Sequence, residues 1–174
     1  VAHNHFEQAE RALREALKKS PNDASLHLAV GRCLFRRSRF DEAIPSFRQA
    51  LNLDPNRWEA RHFLGLIHDA AGRFELAIME YEAALLVRPD EGIVHSNLGT
   101  SLLMSGRLER AVKSLEAAIA AGFSHPKTHN NLGLALGRLG RFDEALAAFR
   151  KGGDEAAAFN NMGLVYLVQG RYRD

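Results

Sequence analysis

The sequence predicts an all-α fold of stacked, antiparallel helix pairs, and the main reason is a repeat of 34 residues. A glycine, two alanines and a proline recur at this interval. The recurring positions are Gly31, Gly65, Gly99 and Gly133; Ala9, Ala43, Ala77, Ala111 and Ala145; Ala16, Ala50, Ala84 and Ala118; and Pro21, Pro55 and Pro89. This period is too long for a coiled coil and too short for a domain, so each period is one supersecondary unit stacked on its copies.

Composition agrees with a helical array and argues against several other classes. Hydrophobic residues make up 46% of the 174 residues, and the formal charge is +2 with both signs interspersed. There is no basic run or aromatic-basic patch, so we expect no nucleic-acid partner. The apolar runs are too short for a membrane span. The single cysteine, Cys33, fits a reducing and therefore cytoplasmic compartment, although a secretory leader on a longer parent chain is an open alternative.

Each repeat is predicted to hold two helices joined by a tight turn. In residues 58–91, one apolar stripe precedes Gly72 and a second stripe follows it up to Pro89. Gly72 suits the left-handed backbone after a helix C-terminus, where a side chain would cost about 1 kcal/mol. Gly65 and Ala77 should lie where the two helices cross, because only small side chains allow the axes to come close.

This framework resembles the tetratricopeptide repeat (TPR) family over the whole chain. The family pattern is matched in order by Leu64-Gly65, His68, Ala77, Tyr81, Ala84 and Pro89, and again in the repeats on either side. The resemblance implies a right-handed α-solenoid whose first helices line a concave face that binds protein or peptide partners.

The repeat frame divides residues 1–174 into a single array with unequal ends. We expect a half repeat with only the second helix at 3–20, full repeats at 24–57, 58–91 and 92–125, a shortened repeat at 126–155, and a half repeat with the first helix and turn at 156–174. Four residues are missing between Gly133 and Gly163, close to one helical turn, so the second helix there should be a turn shorter and the curvature should change. Uncapped ends would allow end-to-end self-association.

The candidate binding residues lie on the first helices of the later repeats. Asn97, Asn131 and Asn161 each precede a Leu-Gly or Met-Gly pair, and an amide can both donate to and accept from an extended peptide backbone. This series resembles the asparagine ladder of TPR regions attached to protein glycosyltransferases; a solvated role is the alternative. The further groove positions are Asn130, Asn160, Thr100, Lys127, Leu134, Arg138 and Leu164, together with Ser96, Leu103 and Met104.

The earlier repeats carry charged groove positions instead, namely Arg32, Arg36, Glu59, His62 and Asp69. The family's carboxylate clamp for chaperone tails is incomplete, because only Asn97 and Lys127 match it. Arg39, Arg73, Arg107, Arg141 and Arg171 recur at the turns between helices, where they could pair with nearby acids or helix-end carbonyls.

Catalytic and metal sites are not expected. His125 and His129 form an i, i+4 pair without a third ligand nearby, and Cys33 has no histidine base in its repeat. His27, His95 and His129 recur at the aromatic position of the framework, so packing explains them. The sequence therefore predicts a protein-binding scaffold without a cofactor. A self-assembling array, or a substrate-recruiting arm of a larger enzyme such as a glycosyltransferase, are the alternatives.

Overall fold

The structure, a computed structural model, describes residues 2–170, with side chains from residue 6 onward, and this part of the chain folds into ten α-helices without a strand. The helices are α1 (Ala2–Lys19), α2 (Ala24–Arg36), α3 (Phe40–Leu53), α4 (Trp58–Ala70), α5 (Phe74–Val87), α6 (Gly92–Met104), α7 (Leu108–Ala120), α8 (Pro126–Arg138), α9 (Phe142–Gly152) and α10 (Glu155–Val168). The predicted all-α class is confirmed. Arg171 and the rest of 171–174 lie outside the described residues.

The chain divides into two compact units, each containing five helices. Unit 1 is Val1–Arg88, with α1 to α5, and unit 2 is Pro89–Asp174, with α6 to α10. In both units consecutive helices pack as pairs: α2 with α3 and α4 with α5 in unit 1, α6 with α7 and α8 with α9 in unit 2. α1 packs on α2, and α10 packs on both α8 and α9. The repeat boundaries themselves stay a prediction.

A glycine on the first helix and a large side chain on the second hold each pair together. A Cβ at Gly65 would lie 2.4 Å from Cε1 of Tyr81, and one at Gly133 would lie 2.5 Å from Cε1 of Phe149. Tyr81 is fully buried and Phe149 is 1% exposed. The absence of a Cβ therefore lets the ring sit against the partner helix backbone, as the recurrence of glycine predicts.

The turns between paired helices use left-handed backbone at a repeated position. Gly72, Gly106 and Gly140 have φ of 69°, 78° and 80°. Ser38 occupies the equivalent position in the preceding repeat and has φ of 57°. A non-glycine residue is strained in this region, so the turn after α2 is less favourable than the later ones.

α9 is shorter than the second helices of the other repeats, as expected from the four residues missing between Gly133 and Gly163. It has 11 residues, whereas α3 and α5 have 14 and α7 has 13. It ends at Gly152, where a Cβ would lie 2.3 Å from Oδ1 of Asn130. The change in curvature expected there stays a prediction.

A buried carboxylate attaches α1 to the turn between α2 and α3. Glu10 is 4% exposed and forms ion pairs with Arg14 at 2.7 Å and Arg39 at 2.8 Å, and a further close one with Arg37. Beneath α1, the Cys33 thiol donates to the carbonyl oxygen of Phe6 at 3.1 Å. Burial, and then the neighbouring Glu10 carboxylate, raise the pKa of Cys33, so this thiol is a poor nucleophile.

Candidate functional site

The predicted asparagine series belongs to a larger stripe of side chains on three helices of unit 2. Positions separated by four, three and four residues fall on one side of an α-helix. We call this set the α6–α8–α10 stripe; it comprises Ile93, Asn97, Thr100 and Met104 on α6, Lys127, Asn131, Leu134 and Arg138 on α8, and Ala157, Asn161, Leu164 and Val168 on α10.

Polar contacts hold α6 beside α8 along the edge of the stripe. The hydroxyls of Ser96 and Thr128 are hydrogen-bonded at 2.8 Å and both side chains are buried. Nδ2 of Asn131 donates to Oγ1 of Thr100 at 2.8 Å. Near the other end, Nη1 of Arg138 donates to the carbonyl oxygen of Leu103 at 3.2 Å. These bonds join residues more than 30 positions apart and set the first helices side by side.

A different set of contacts holds α10 beside α8. Nε2 of Gln169 donates to the carbonyl oxygen of Gly137 at 2.7 Å, and a Cβ at Gly137 would lie 2.7 Å from Cγ1 of Val165. The position equivalent to Thr100 on α8 is Leu134, which has no polar atom in its side chain. The hydroxyl that binds Asn131 between α6 and α8 therefore has no counterpart between α8 and α10.

The three asparagines of the predicted series are all half-buried, yet their amides differ. The Asn131 amide is partly engaged by Thr100. Asn161 makes no side-chain hydrogen bond to any residue in the range 6–170, because Leu134 replaces the hydroxyl acceptor. The amide of Asn161 is thus open to a ligand, whereas the amide of Asn131 also helps to hold α8 against α6 through its bond to Thr100. Whether the series binds a ligand stays a prediction.

The stripe exposes several apolar side chains. Met104 is 60% exposed, Leu164 is 51% exposed and Val168 is 75% exposed. Leu134 is half-buried between them along the chain, and Ile93 is exposed at the start of α6. Sequence reasoning named Leu134, Leu164 and Met104 but missed Ile93 and Val168, which the same helical spacing would have found.

Four other predicted groove residues lie off the stripe. Ser96 and Leu103 are buried between helices, so neither offers a surface to a ligand. Asn130 is turned toward α9, with its Oδ1 buried and without a hydrogen-bond partner within the described residues. Asn160 holds the equivalent position on α10 and is exposed. Each of these four positions is next to a stripe residue in the sequence, which is why helical spacing alone did not separate them from the stripe.

The charged residues of the stripe are both basic. Lys127 and Arg138 are exposed at the two ends of α8. Helices α6, α8 and α10 contain a single acidic residue, Glu155, and it pairs with Arg150 at 2.5 Å in the first turn of α10. Up to residue 170, the other acidic residues of unit 2 lie on α7, α9 and the turns.

The equivalent helices of unit 1 are less polar than their sequence suggests. His62 was expected to be a charged groove residue, but it is 8% exposed and packs against the rings of Trp58 and Tyr81. Burial lowers the pKa of His62 to about 4, so the ring is neutral at physiological pH. The Asp69 carboxylate accepts a hydrogen bond of 2.8 Å from the Tyr81 hydroxyl, so it too has a structural partner.

The other histidines whose side chains are described cap helices or pack, and they do not converge on a site. Nδ1 of His125 accepts from the backbone N–H of Lys127 at the start of α8, and Nε2 of His129 is 2.8 Å from the hydroxyl of Ser124. Within the described part of the chain, no group of three or more His, Cys, Asp or Glu side chains is placed to hold a metal ion. None of the described helices is both long and apolar enough to cross a membrane.

Comparison with known proteins identifies the repeat. A family model for the tetratricopeptide repeat matches residues 1–57, 34–93, 62–127, 96–155 and 130–174. No curated protein matches the sequence significantly.

Solved structures resemble the fold at low sequence identity. YrrB, described as a TPR protein with an unusual peptide-binding site, is 23% identical with a TM-score of 0.83, covering 95% of this chain and 87% of that one. MamA from Desulfovibrio magneticus RS-1 is 23% identical with a TM-score of 0.77, covering 87% and 85%. PilF from Pseudomonas aeruginosa is 21% identical with a TM-score of 0.78, covering 98% and 79%.

At these identities the likeness to solved structures is one of fold, while the family model spans the chain from end to end. The stacked helix pairs, the recurring glycine that contacts a large side chain of the paired helix, and the match to the family model all indicate the same repeat. The chain is a TPR-repeat scaffold, and its fold is that of a non-catalytic, protein-interaction family. The chain belongs to the tetratricopeptide repeat family.

Proposed function

We propose that this scaffold binds an extended segment of a partner protein along the α6–α8–α10 stripe and is not itself catalytic. The observation that carries the proposal is the Asn161 amide, which has no hydrogen-bond partner among the side chains and backbone of residues 6–170 and lies on the same helix as the exposed apolar side chains of Leu164 and Val168. Exposed apolar groups next to available polar groups are typical of a binding surface. TPR proteins place their first helices on the concave face, so the stripe would line the groove.

An extended segment suits this surface for a chemical reason. A peptide backbone presents alternating N–H and C=O groups, and the amides of Asn97, Asn131 and Asn161 can donate to and accept from them. Each such bond contributes about 0.5–1.5 kcal/mol net. Leu134 and Leu164 would then contact apolar side chains of the segment. Thr100 would orient Asn131 through the bond that it already makes.

The test starts from a random dodecapeptide library displayed on phage and selected on the whole chain. The affinity of an enriched peptide, made by synthesis, is then measured by fluorescence anisotropy. Asn161→Ala should weaken binding roughly two- to tenfold, the equivalent of one lost hydrogen bond. A Leu164→Ser and Val168→Ser double variant should weaken it more than tenfold, because both side chains would lose apolar contact.

The control is Asn52→Ala, an exposed asparagine on α3 of unit 1, which should leave the affinity unchanged. Circular dichroism should show equal helicity for all variants, since the changed side chains are solvent-accessible. Enriched peptides that bind all the variants equally well would contradict the proposal. A library that yields no enriched peptide would contradict it as well.

We also propose self-association as a second function, because α10 and α1 each expose a position that is buried in another repeat. A Cβ at Gly163 would meet no atom within 4 Å in the described part of the chain, whereas the equivalent Gly133 contacts Phe149. On α1, Ala9 is exposed, although the equivalent Ala145 is completely buried. The α1 helix of a second copy would fit on α10 as α9 fits on α8, with Leu13 against Gly163. Leu115 makes the same contact with Gly99.

A contact between two different faces is heterologous, so the copies should form chains of varying length. Sedimentation velocity of the wild type should show mass rising with concentration. Ala9→Arg blocks one face and Gly163→Gln blocks the other, so each variant alone should be monomeric. Mixing the two should give a one-to-one dimer, because each retains one open face. A wild type that stays monomeric at high concentration, or variants that do not pair when mixed, would contradict self-association.

A further inference from the structure

The stripe combines apolar and amide groups with positive charge alone. Lys127 and Arg138 are its charged residues, and none of its twelve positions is acidic. The described acids of unit 2 lie outside the stripe: Glu109 and Glu116 on α7, Asp143 and Glu144 on α9, Asp90 and Glu91 before α6, and Asp154 and Glu155 at the start of α10. Opposite charges on a partner would be attracted to this face, whereas a basic partner would meet two cations and no acidic side chain within the stripe.

The guanidinium of Arg138 is fixed in place by a hydrogen bond. Its Nη1 donates to the carbonyl oxygen of Leu103, in the last turn of α6, while the residue as a whole is exposed. Carbonyls at the C-terminal end of a helix carry partial negative charge and attract a guanidinium. One of the five N–H donors of Arg138 is engaged in this way, so the others can meet a carboxylate with little further loss of side-chain freedom.

Lys127 lies at the opposite end of the stripe on the same helix. It is exposed in the first turn of α8, where the backbone N–H groups add positive potential. Asn131 lies between the two cations, about 6 Å along the helix axis from Lys127 and about 10 Å from Arg138 at 1.5 Å per residue. A segment that passes Asn131 therefore has a cation on each side, within reach of a long side chain.

We propose that the partner of the α6–α8–α10 stripe is an acidic segment, in which internal Asp or Glu side chains pair with Lys127 and Arg138 while apolar side chains contact Leu134, Leu164 and Val168. This inference rests on the proposed function and adds the charge of the partner. The carboxylates are those of side chains within the segment. The arrangement thus differs from capture of a chain terminus, for which the required residues are incomplete.

The experiment uses the same dodecapeptide display on the whole chain, with three forms of the protein selected in parallel. These are the wild type, a Lys127→Glu and Arg138→Glu double variant, and a matched control, Lys113→Glu, at an exposed position of α7. Enriched peptides are synthesised with acetylated and amidated ends, so that side chains supply their only charges. Affinities are measured at low and at high salt.

The wild type and the Lys113→Glu control should enrich peptides that are net acidic and contain apolar residues. The double variant should instead enrich net basic peptides. Replacing the acids of a wild-type-selected peptide with Asn and Gln should weaken binding roughly fivefold for each carboxylate, the upper range for an exposed ion pair. The affinity of the acidic peptide should fall as salt is raised, and that of its neutral form should change little.

The outcomes separate this inference from the function on which it rests. Neutral or basic peptides that bind the wild type and are weakened by Asn161→Ala would overturn the acidic partner while supporting the binding stripe. Acidic peptides whose affinity is unchanged by the double charge reversal would also overturn the inference, because their carboxylates would then lie elsewhere. Peptides insensitive to every stripe variant would overturn both.

Discussion

Replacing Gly133 with alanine tests the close packing that defines each helix pair. A Cβ at this position would lie 2.5 Å from Cε1 and 2.6 Å from Cδ1 of Phe149. Carbon atoms pack at about 3.5–4.0 Å, so the ring would have to retreat by about 1 Å. Phe149 is 1% exposed and cannot move into solvent. The added methyl group therefore has to be accommodated by a shift of α9 against α8.

Two effects of opposite sign set the magnitude. Overpacking a filled core costs about 1–3 kcal/mol, and the buried ring places this substitution near the upper value. Alanine is favoured over glycine inside a helix by about 1 kcal/mol, which offsets part of that loss. We expect Gly133→Ala to lower the free energy of unfolding by about 2 kcal/mol.

Gly163 provides the matched control, because it occupies the equivalent position on α10 and a Cβ there meets no atom within 4 Å in the described part of the chain. At a protein concentration at which the chain is monomeric, Gly163→Ala retains the helix-propensity gain alone, so it should stabilise α10 by about 1 kcal/mol.

Urea denaturation followed by circular dichroism measures the stability of each variant. Hydrogen exchange of the α8 and α10 amides locates the effect, since stacked repeats can open separately. The predicted difference between the two substitutions is about 3 kcal/mol, from the overpacking and propensity values above. If Gly133→Ala were as stable as the wild type, the contact between Gly133 and Phe149 would tolerate a side chain and the packing argument would be wrong.

Three further substitutions test individual contacts by urea denaturation. Ser38→Gly relieves the left-handed backbone at φ 57° and should stabilise the chain by about 1 kcal/mol, whereas no gain would mean that the turn is unstrained. The pKa of His62 is about 4 in the folded chain and 6.5 in the unfolded chain, so the neutral buried ring does not reduce the free energy of unfolding above pH 6.5. That free energy falls as the pH decreases from 6.5 to 4, because the unfolded chain binds the proton more readily. The loss of stability between pH 6.5 and pH 4 is about 3 kcal/mol, and His62→Gln should make stability less dependent on pH in this range. If the substitution leaves that pH dependence unchanged, His62 protonates as readily in the folded chain as in the unfolded one. Asn131→Ala should cost about 1 kcal/mol through the bond to Thr100, while Asn161→Ala should cost nothing measurable; equal losses would contradict the difference between the two amides.

The helices and their contacts within a repeat could be predicted because they depend on residues that are close in sequence. Gly133 and Phe149 are 16 positions apart and belong to one helix pair, so the same pattern recurs wherever the pair recurs. Gly72 ends a helix through its own backbone preference. The stripe followed from helical spacing in the same way, which is why Asn131, Leu134 and Arg138 could be named beforehand.

The availability of each polar group could not be predicted, because it depends on a neighbour from another repeat. Asn131 and Asn161 have the same sequence context, but Thr100 engages the first and Leu134 stands in the equivalent place near the second. Spacing also assigned Asn130 to the groove, although its side chain is turned toward α9, where Gly152 leaves room for it.

The sequence by itself determined the helices, their pairing and the repeat family, since a 34-residue period of small and large apolar residues encodes them locally. Only the tertiary structure decided which charged and polar residues are available at the surface. It buried His62 as a neutral ring and enclosed Glu10 among three arginines. The reason is physical: helical order arises from contacts within a few turns, whereas desolvation and hydrogen bonding are set by atoms brought together from distant parts of the chain.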